Sequence, residues 1–442
     1  MANKTTVIKG GAALVLALWL GTLWPGWSQQ QQVSSAQRQL GERLFRDARF
    51  SAPQGDLPAS CASCHFFDED PQGLRPFADF FNRSWISYRP QNPQRFELRN
   101  SPGLFDVAQQ PRLHYDGEFG SLEELVTGTF TGRPMGWLPG EQEQALTQLQ
   151  KVVLQDSGYR AQFKSAYGVA LEKLNRTAVA RHIARAVADF MRTLNSKMNA
   201  PYDEFVRLNG LATKPANGES AAIFAERFLA RVNKLEEAKT LKLPNGFSTA
   251  ALQGMKLFYS SGNCVTCHAP PLFTDFSYHN LGISQTEYDQ VFGAGAFAKL
   301  ELPNAAQAER PTERFRQFPT KGKPGEVDLG HWNFLDLKTS ALRRASESDD
   351  QLLGRMIGAV KTPGLRHLAY TYPYMHNGAY TTLDDTVKEL QRLSEMARAG
   401  QVRAADDELR KIQIREADVA PLVAFLQSLN EDLKRNYQQA KK

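Results

Sequence analysis

Apolar residues in this chain recur mostly at helical spacing. Val179, Ile183, Val187, Phe190 and Leu194 stand three or four positions apart, which predicts an amphipathic helix over 177–195. Leu40, Leu44 and Phe45 share one face of an earlier helix. A further helix is expected over about 248–259, another over 381–399 stopped by Gly400, and a last one through Val419, Leu422, Val423, Leu426 and Leu429. Ser121 and Glu124 fit a capping box that starts a short helix. No run alternates as a strand would, so the expected class is mainly α. Residues 66–99, rich in Asp, Pro, Asn and Arg, read as loop. Residues 290–350 lack a sustained period, as a functional cover or an insertion would. Pro-, Gly- and Lys-rich pieces over 196–247 place a boundary between a domain at 40–200 and a domain at 201–430. A linker at 29–39 precedes them and a polar tail at 431–442 follows, with the last helix free to pack back on the first domain.

The first 28 residues read as an export signal, with Lys4 and Lys9 ahead of the apolar run Ala12–Trp24. That run is short for a spanning helix, which needs about 20 apolar residues. No small-x-small site precedes the Gln29–Gln32 tract, so an uncleaved N-terminal membrane anchor stays open beside cleavage. Export places the mature chain in the periplasm. A net charge of +6, spread without a basic block, offers no nucleic-acid signal and fits an ordinary solvated surface.

The chemistry lies in two short stretches. Cys61-Ala62-Ser63-Cys64-His65 and Cys264-Val265-Thr266-Cys267-His268 each have the C-x-x-C-H form of a c-type haem attachment site. Two thiols one helical turn apart reach the two vinyl groups of one porphyrin, and the next residue offers an imidazole to the iron. Zinc modules set their cysteine pairs about 15–20 residues apart. Here the first cysteines stand at 61 and 264, and the chain has no other cysteine beyond these four. Two covalently bound haem c groups follow, with His65 and His268 as iron ligands. The expectation is two cytochrome c-like haem domains with long loops and insertions.

Further motifs carry a resemblance. Leu40–Ser51, Arg99-Asn100-Ser101-Pro102, Tyr115-Asp116-Gly117, Ala186–Leu194, Thr362-Pro363-Gly364-Leu365-Arg366 and Thr371-Tyr372-Pro373-Tyr374-Met375-His376-Asn377-Gly378 are similar to segments of the bacterial di-haem cytochrome c peroxidase and MauG-like family. The resemblance implies an oxidoreductase whose N-terminal haem meets hydrogen peroxide while its C-terminal haem accepts electrons from a small cytochrome c or copper protein. It implies a calcium ion between the domains, at Asn100 through its side chain and at Thr371 and Pro373 through their carbonyls. It leaves a homodimer open, and a MauG-like oxidase acting on a protein substrate, or a non-enzymatic electron carrier or redox sensor, as alternatives.

The departures from the family pattern are specific. No histidine lies between His65 and His114, where the resemblance implies a distal ligand, so the N-terminal iron is expected to be open. The distal Gln and Glu positions fall on Leu125 and near Met135 or Gly136, which leaves Arg133 and His114 to stabilise developing charge. The sixth-ligand position of the C-terminal haem falls on Leu390, with Met375, Met396 and Met356 as substitutes. Tyr115 stands where the family has a Trp between the haems, and reads either as an electron relay or as a packed interface residue.

Overall fold

The computed structural model describes residues 32–53, 58–65, 99–307, 327–433 and 436. The export segment at 1–28 and all but the last residue of the loop expected over 66–99 lie outside the described residues. Fourteen helices follow one another among those described: α1 Ser35–Arg46, α2 Cys61–Cys64, α3 Leu122–Phe130, α4 Gln142–Gln155, α5 Ser157–Tyr167, α6 Arg176–Arg192, α7 Pro201–Leu208, α8 Ala221–Glu237, α9 Thr249–Phe258, α10 Ile283–Phe292, α11 Asp349–Arg355, α12 Leu383–Arg398, α13 Asp407–Lys411 and α14 Glu416–Gln427. The fold is mainly α, and two-residue strands at Tyr278–His279 and Val360–Lys361 pair antiparallel.

Three apolar clusters form the interior. The first runs from Leu40 to Leu194, with α1 and α3 packed on α6. The second runs from Tyr202 to Leu429, with α14 laid across α9 and α12. Its centre is aromatic: Tyr202, Phe258, Phe273 and Phe425 meet edge to face, the arrangement that ring quadrupoles favour. One glycine sets each principal crossing. A Cβ on Gly41 of α1 would overlap the Ala186 carbonyl of α6, and one on Gly254 of α9 would overlap the Pro421 carbonyl of α14.

The third cluster, from Tyr278 to Ala359, gathers Trp332, Leu329, Leu335, Met356 and Ile357. It fills much of the segment that showed no periodicity. Within that segment its apolar residues lie on short 3-10 turns, as Phe297 and Trp332 do, or on loop, as Val327, Leu329 and Leu335 do, and those leave no repeat to read.

Several boundaries differ from expectation. Ser34 accepts from the Gln37 amide while the Gln37 side chain accepts from the Ser34 amide. This box starts α1 inside the supposed linker. Ser121 accepts from the Glu124 amide at 3.2 Å, but the Glu124 carboxylate reaches one residue further, to the Gly120 amide. The stretch 196–247 holds α7 and α8, whose polar faces hid their period. The last helix packs on α9 and α12. It is the segment after it that reaches back: Glu431 accepts from the Lys197 and Met198 amides at 2.9 and 2.7 Å, and Leu433 is buried. The start of the polar tail is therefore part of the folded body.

One backbone form occurs twice, 261 positions apart. Asp106 and His367 share a left-handed φ, as do His114 and Met375. The second position of each copy is enclosed by a paired bridge, Leu113 with Phe119 and Tyr374 with Tyr380. A hydroxyl-capped helix begins next, Ser121 capping α3 and Thr382 capping α12. Residues 99–122 and 360–383 are thus two renderings of one structure.

Candidate functional site

Each C-x-x-C-H stretch is folded as one tight turn. The His65 amide donates to the Cys61 carbonyl at 2.9 Å, and the His268 amide to the Cys264 carbonyl at 2.8 Å. All four cysteines are unbridged. Burial, helped by the neighbouring thiol, pushes Cys61 and Cys264 up to about 12. The His268 ring is oriented by Nδ1 on the Phe273 carbonyl at 2.8 Å, which turns Nε2 toward a metal. The Phe45 ring stands 6.3 Å from the His65 ring. Each half thus brings two thiols and an imidazole, a donor set that fits haem c, with the ring oriented by a carbonyl at His268 and flanked by an apolar ring at His65.

The two halves meet where the repeated segments face each other, and equivalent residues pair. The Asn100 amide donates to the His376 carbonyl at 2.7 Å, and the Lys361 amide donates to the Tyr115 carbonyl at 2.7 Å. The Tyr115 and His376 rings lie 6.2 Å apart, edge to face. Asp106 and His367 share the Ser196 hydroxyl between them.

Beside these pairs lies a buried charge network. Arg99 bonds Asp116 at 2.6 Å and Asp328 through two nitrogens, each at 2.5 Å. Burial works against the guanidinium, and the two carboxylates overcome it, holding its pKa well above the usual value. His331 donates Nδ1 to the Asp116 carbonyl at 2.7 Å and stacks on Tyr278 at 3.7 Å.

Asn100 is buried. Its Nδ2 donates to the Pro373 carbonyl at 2.5 Å, while its Oδ1 has no partner. An orphaned amide oxygen beside a peptide carbonyl is the start of a site for a hard cation, so these residues fit calcium. Lys361 mirrors this arrangement, with Nζ donating to the Arg112 carbonyl at 2.6 Å and to Gln110 Oε1. Burial pushes its pKa down to about 7, against the raising field of Asp116.

The other expected residues are placed as follows. His114 and Tyr115 are adjacent but part company: the His114 Nδ1 faces Glu118 at 3.2 Å, whereas Tyr115 faces His376. Arg133 opens a 3-10 turn that ends at Met135, and Met135 is buried in the first cluster. Leu125 packs on the same cluster. Trp137, two residues after Met135, buries an indole N–H that has no acceptor. Met356 belongs to the third cluster and not to the second. Met396 accepts from Arg392 at 2.8 Å. Met375 packs on the second cluster at the left-handed position before His376.

Residues 35–210 match the family described as di-haem cytochrome c peroxidase. Curated relatives extend the match over most of the chain. Cytochrome-c peroxidase IdrP2 of Pseudomonas sp. (strain SCT) is 25% identical over 404 residues, covering 89% of this chain and 81% of the relative. Methylamine utilization protein MauG of Methylophilus methylotrophus is 24% identical over 397 residues, covering 88% and 81%. The chain is similar to the di-haem cytochrome c peroxidase and MauG-like family, by the family match over 35–210 and by these relatives over most of its length. In that family the likeness points to two c-type haems and to oxidoreductases of peroxidase type. The fold agrees. A solved MauG-like protein associated with microbial copper homeostasis superposes with a TM-score of 0.55 at 21% identity, covering 91% of each chain. The diheme peroxidase BthA from Burkholderia thailandensis gives 0.55 at 19% identity, covering 91% and 87%. Among the described residues, no helix is long and apolar enough to cross a membrane.

Sequence reasoning passed over Asp328, His331 and the Lys361 clamp. Asp328 and His331 sit in the aperiodic segment, where nothing marks one polar residue above another. Lys361 had a signal: Ser101-Pro102-Gly103-Leu104 and Thr362-Pro363-Gly364-Leu365 stand 261 positions apart, and each is preceded by the residue that reaches across.

Proposed function

We propose that this protein is a di-haem cytochrome c peroxidase that reduces hydrogen peroxide to water in the periplasm, with electrons from a small cytochrome c or copper protein. One peroxide takes up two electrons and two protons and leaves as two waters. The observation that carries the reading is the ring pair of Tyr115 and His376, which joins the halves that hold the two attachment sites. Cys61, Cys64 and His65 would hold one haem c, and Cys264, Cys267 and His268 the other. When bound, these groups supply an iron for peroxide in the N-terminal half and a one-electron store in the C-terminal half.

The chain's own residues do the rest. The absence of a histidine between His65 and His114 favours an N-terminal site open to peroxide without prior reduction. With Leu125, Met135 and Gly136 at the distal positions, no amide or carboxylate moves the proton there. That work falls to the His114–Glu118 pair, with Arg133 stabilising negative charge and the Trp137 N–H donating to an oxygen. Asn100 Oδ1 with the Thr371 and Pro373 carbonyls would hold calcium against the interface. Lys4, Lys9 and the run Ala12–Trp24 support export, by a cleaved signal or a retained anchor.

A MauG-like reading, in which the chain oxidises a partner protein, draws support from the missing distal histidine and the similarity to MauG. Steady-state consumption of peroxide by the purified holoprotein with a reduced small cytochrome separates the two. Sustained turnover is expected. Rapid oxidation of the haems without turnover, together with a covalently altered partner, would transfer the assignment to the second reading.

A further inference from the structure

The repeat makes a comparison that neither half offers alone. In one copy the Asn100 amide holds the His376 carbonyl, and the Asn100 side chain turns to the Pro373 carbonyl. In the other copy the Lys361 amide holds the Tyr115 carbonyl, and the Lys361 side chain turns to the Arg112 carbonyl. Pro373 and Arg112 stand 261 positions apart, as do Thr371 and Gln110, and Gln110 supplies the second acceptor for Lys361. The same pocket is therefore outlined twice, each time with the peptide carbonyl of one loop position, Pro373 or Arg112, and in the second copy with the Gln110 side-chain oxygen at the position of Thr371. The larger difference is the residue that reaches into it. Asn100 brings an oxygen that is left without a donor, whereas Lys361 brings a nitrogen that carries its own protons.

We infer that the Lys361 side-chain nitrogen is the built-in counterpart of the calcium proposed at Asn100, and that it clamps the loop Gln110–Tyr115 as the ion would clamp Thr371–His376. The inference rests on the calcium reading for the parallel, but the clamp itself rests on the hydrogen bonds of Lys361. A tethered nitrogen needs no ion in solution, so the loop that carries Tyr115 keeps its place when calcium is removed. Lys361 is a positioning residue: it touches neither attachment site, and it acts through the backbone of the ring that does the relaying. Its replacement by asparagine would put an amide oxygen where Asn100 has one, beside the same two loop positions, and should turn the second pocket into a metal site.

The experiment uses the exported holoprotein with both haems. Calcium bound after chelation and equilibrium dialysis is counted by elemental analysis in the wild type, Lys361→Asn and Lys361→Met. Deuterium uptake is followed in peptides covering 110–116. One ion is expected in the wild type and in Lys361→Met, and two in Lys361→Asn. Uptake at 110–116 should quicken by about tenfold in Lys361→Met, as a locally opened segment does. It should quicken equally in calcium-free Lys361→Asn and return to the wild-type rate when calcium is added. Recovery on adding the ion is what general loss of packing would not produce. Should Lys361→Met fail to fold, Gln110→Ala removes one acceptor and gives the same local readout. Wild-type uptake in Lys361→Met, or fast uptake in Lys361→Asn that calcium does not slow, overturns the inference. No ion in the wild type would overturn the calcium reading instead, leaving the clamp to be judged by Lys361→Met.

Discussion

Residues 99–122 and 360–383 share a backbone and almost no chemistry. Where the first copy has Asn100, Asp106, His114, Tyr115 and Asp116, the second has Lys361, His367, Met375, His376 and Asn377. The conserved elements are the ones the backbone demands: the left-handed φ at 106 and 367 and at 114 and 375, the paired bridges, and the hydroxyl caps of α3 and α12. What changed is every side chain directed at the other copy. Two equal frames with unequal contents are what a protein needs if one haem is to meet substrate and the other is to exchange electrons.

The comparison is broken most severely by emptying one half. Cys264→Ala combined with Cys267→Ala should leave one covalent haem per chain in place of two, measured as intact mass after export. The second apolar cluster, which is built around that turn, should then lose its cooperative unfolding transition. Second in size is loss of Arg99. Arg99→Met leaves Asp116 and Asp328, both fully buried, without their cation. Breaking a buried pair by removing one partner costs about 3–5 kcal/mol. Denaturant unfolding of the holoprotein should show a loss of that size. A change under about 1 kcal/mol would mean that the carboxylates are satisfied elsewhere.

Much of this frame was legible in the residues. The helical stripes of α1, α6, α9, α12 and α14 are long and periodic, and their ends are marked by Ser248, Gly400 and similar signals. The attachment sites were legible because thiol chemistry dictates their spacing. The interface was not. Asp328 bonds a residue 229 positions away, and no local pattern encodes such a partner. Helices α7 and α8 were missed because their solvent faces are crowded with Lys, Arg and Glu, which masks the apolar period. The direction of His114 was also hidden, since adjacent residues at a left-handed turn point apart, and only coordinates say which of them faces the interface.

The asymmetry of the Asp106–Ser196–His367 bridge gives a smaller, pH-dependent effect. Burial, with Arg366 close by, pushes His367 down to about 3, against about 6.5 in an unfolded chain. Between those values the unfolded chain binds the proton and the folded chain does not. This group's share of stability is therefore complete above about pH 6.5 and declines as the pH falls, by about 1.4 kcal/mol per unit. Asp106 and Glu431 are both raised by burial and act in the opposite sense. The measurement is accordingly the difference between the wild type and His367→Asn. The variant should be less stable at pH 7 and lose less between pH 6 and 4. Parallel profiles would show that His367 is not held neutral.

The finest distinction between the copies is Tyr115 against His376, and it bears on the relay. A phenol passes an electron by losing its proton with it, since the neutral side chain has a pKa of about 10. The proton needs an acceptor in the first moment. The preceding residue is not that acceptor, because the His114 ring is engaged with Glu118. The ring that faces Tyr115 is His376, whose Nε2 lies 3.3 Å from the Ser284 hydroxyl and 3.9 Å from Asp328. Asp328 belongs to the Arg99 network, so in the proposed relay a proton taken up by His376 would meet a carboxylate. Tyr115→Phe keeps the ring, its edge-to-face packing and the Lys361–Tyr115 backbone bond, and removes the proton alone. Electron exchange between the two haem sites, followed by rapid-mixing spectra after peroxide is added, should slow by about tenfold, or ~1.4 kcal/mol of barrier. Peroxide binding and haem content should stay as they were. His376→Gln should slow exchange to a similar degree in the wild type and add little in the Tyr115→Phe background, because the two residues act as one unit. Full additivity of the two substitutions would separate them, and would leave Tyr115 a packing residue whose place in the interface serves the fold.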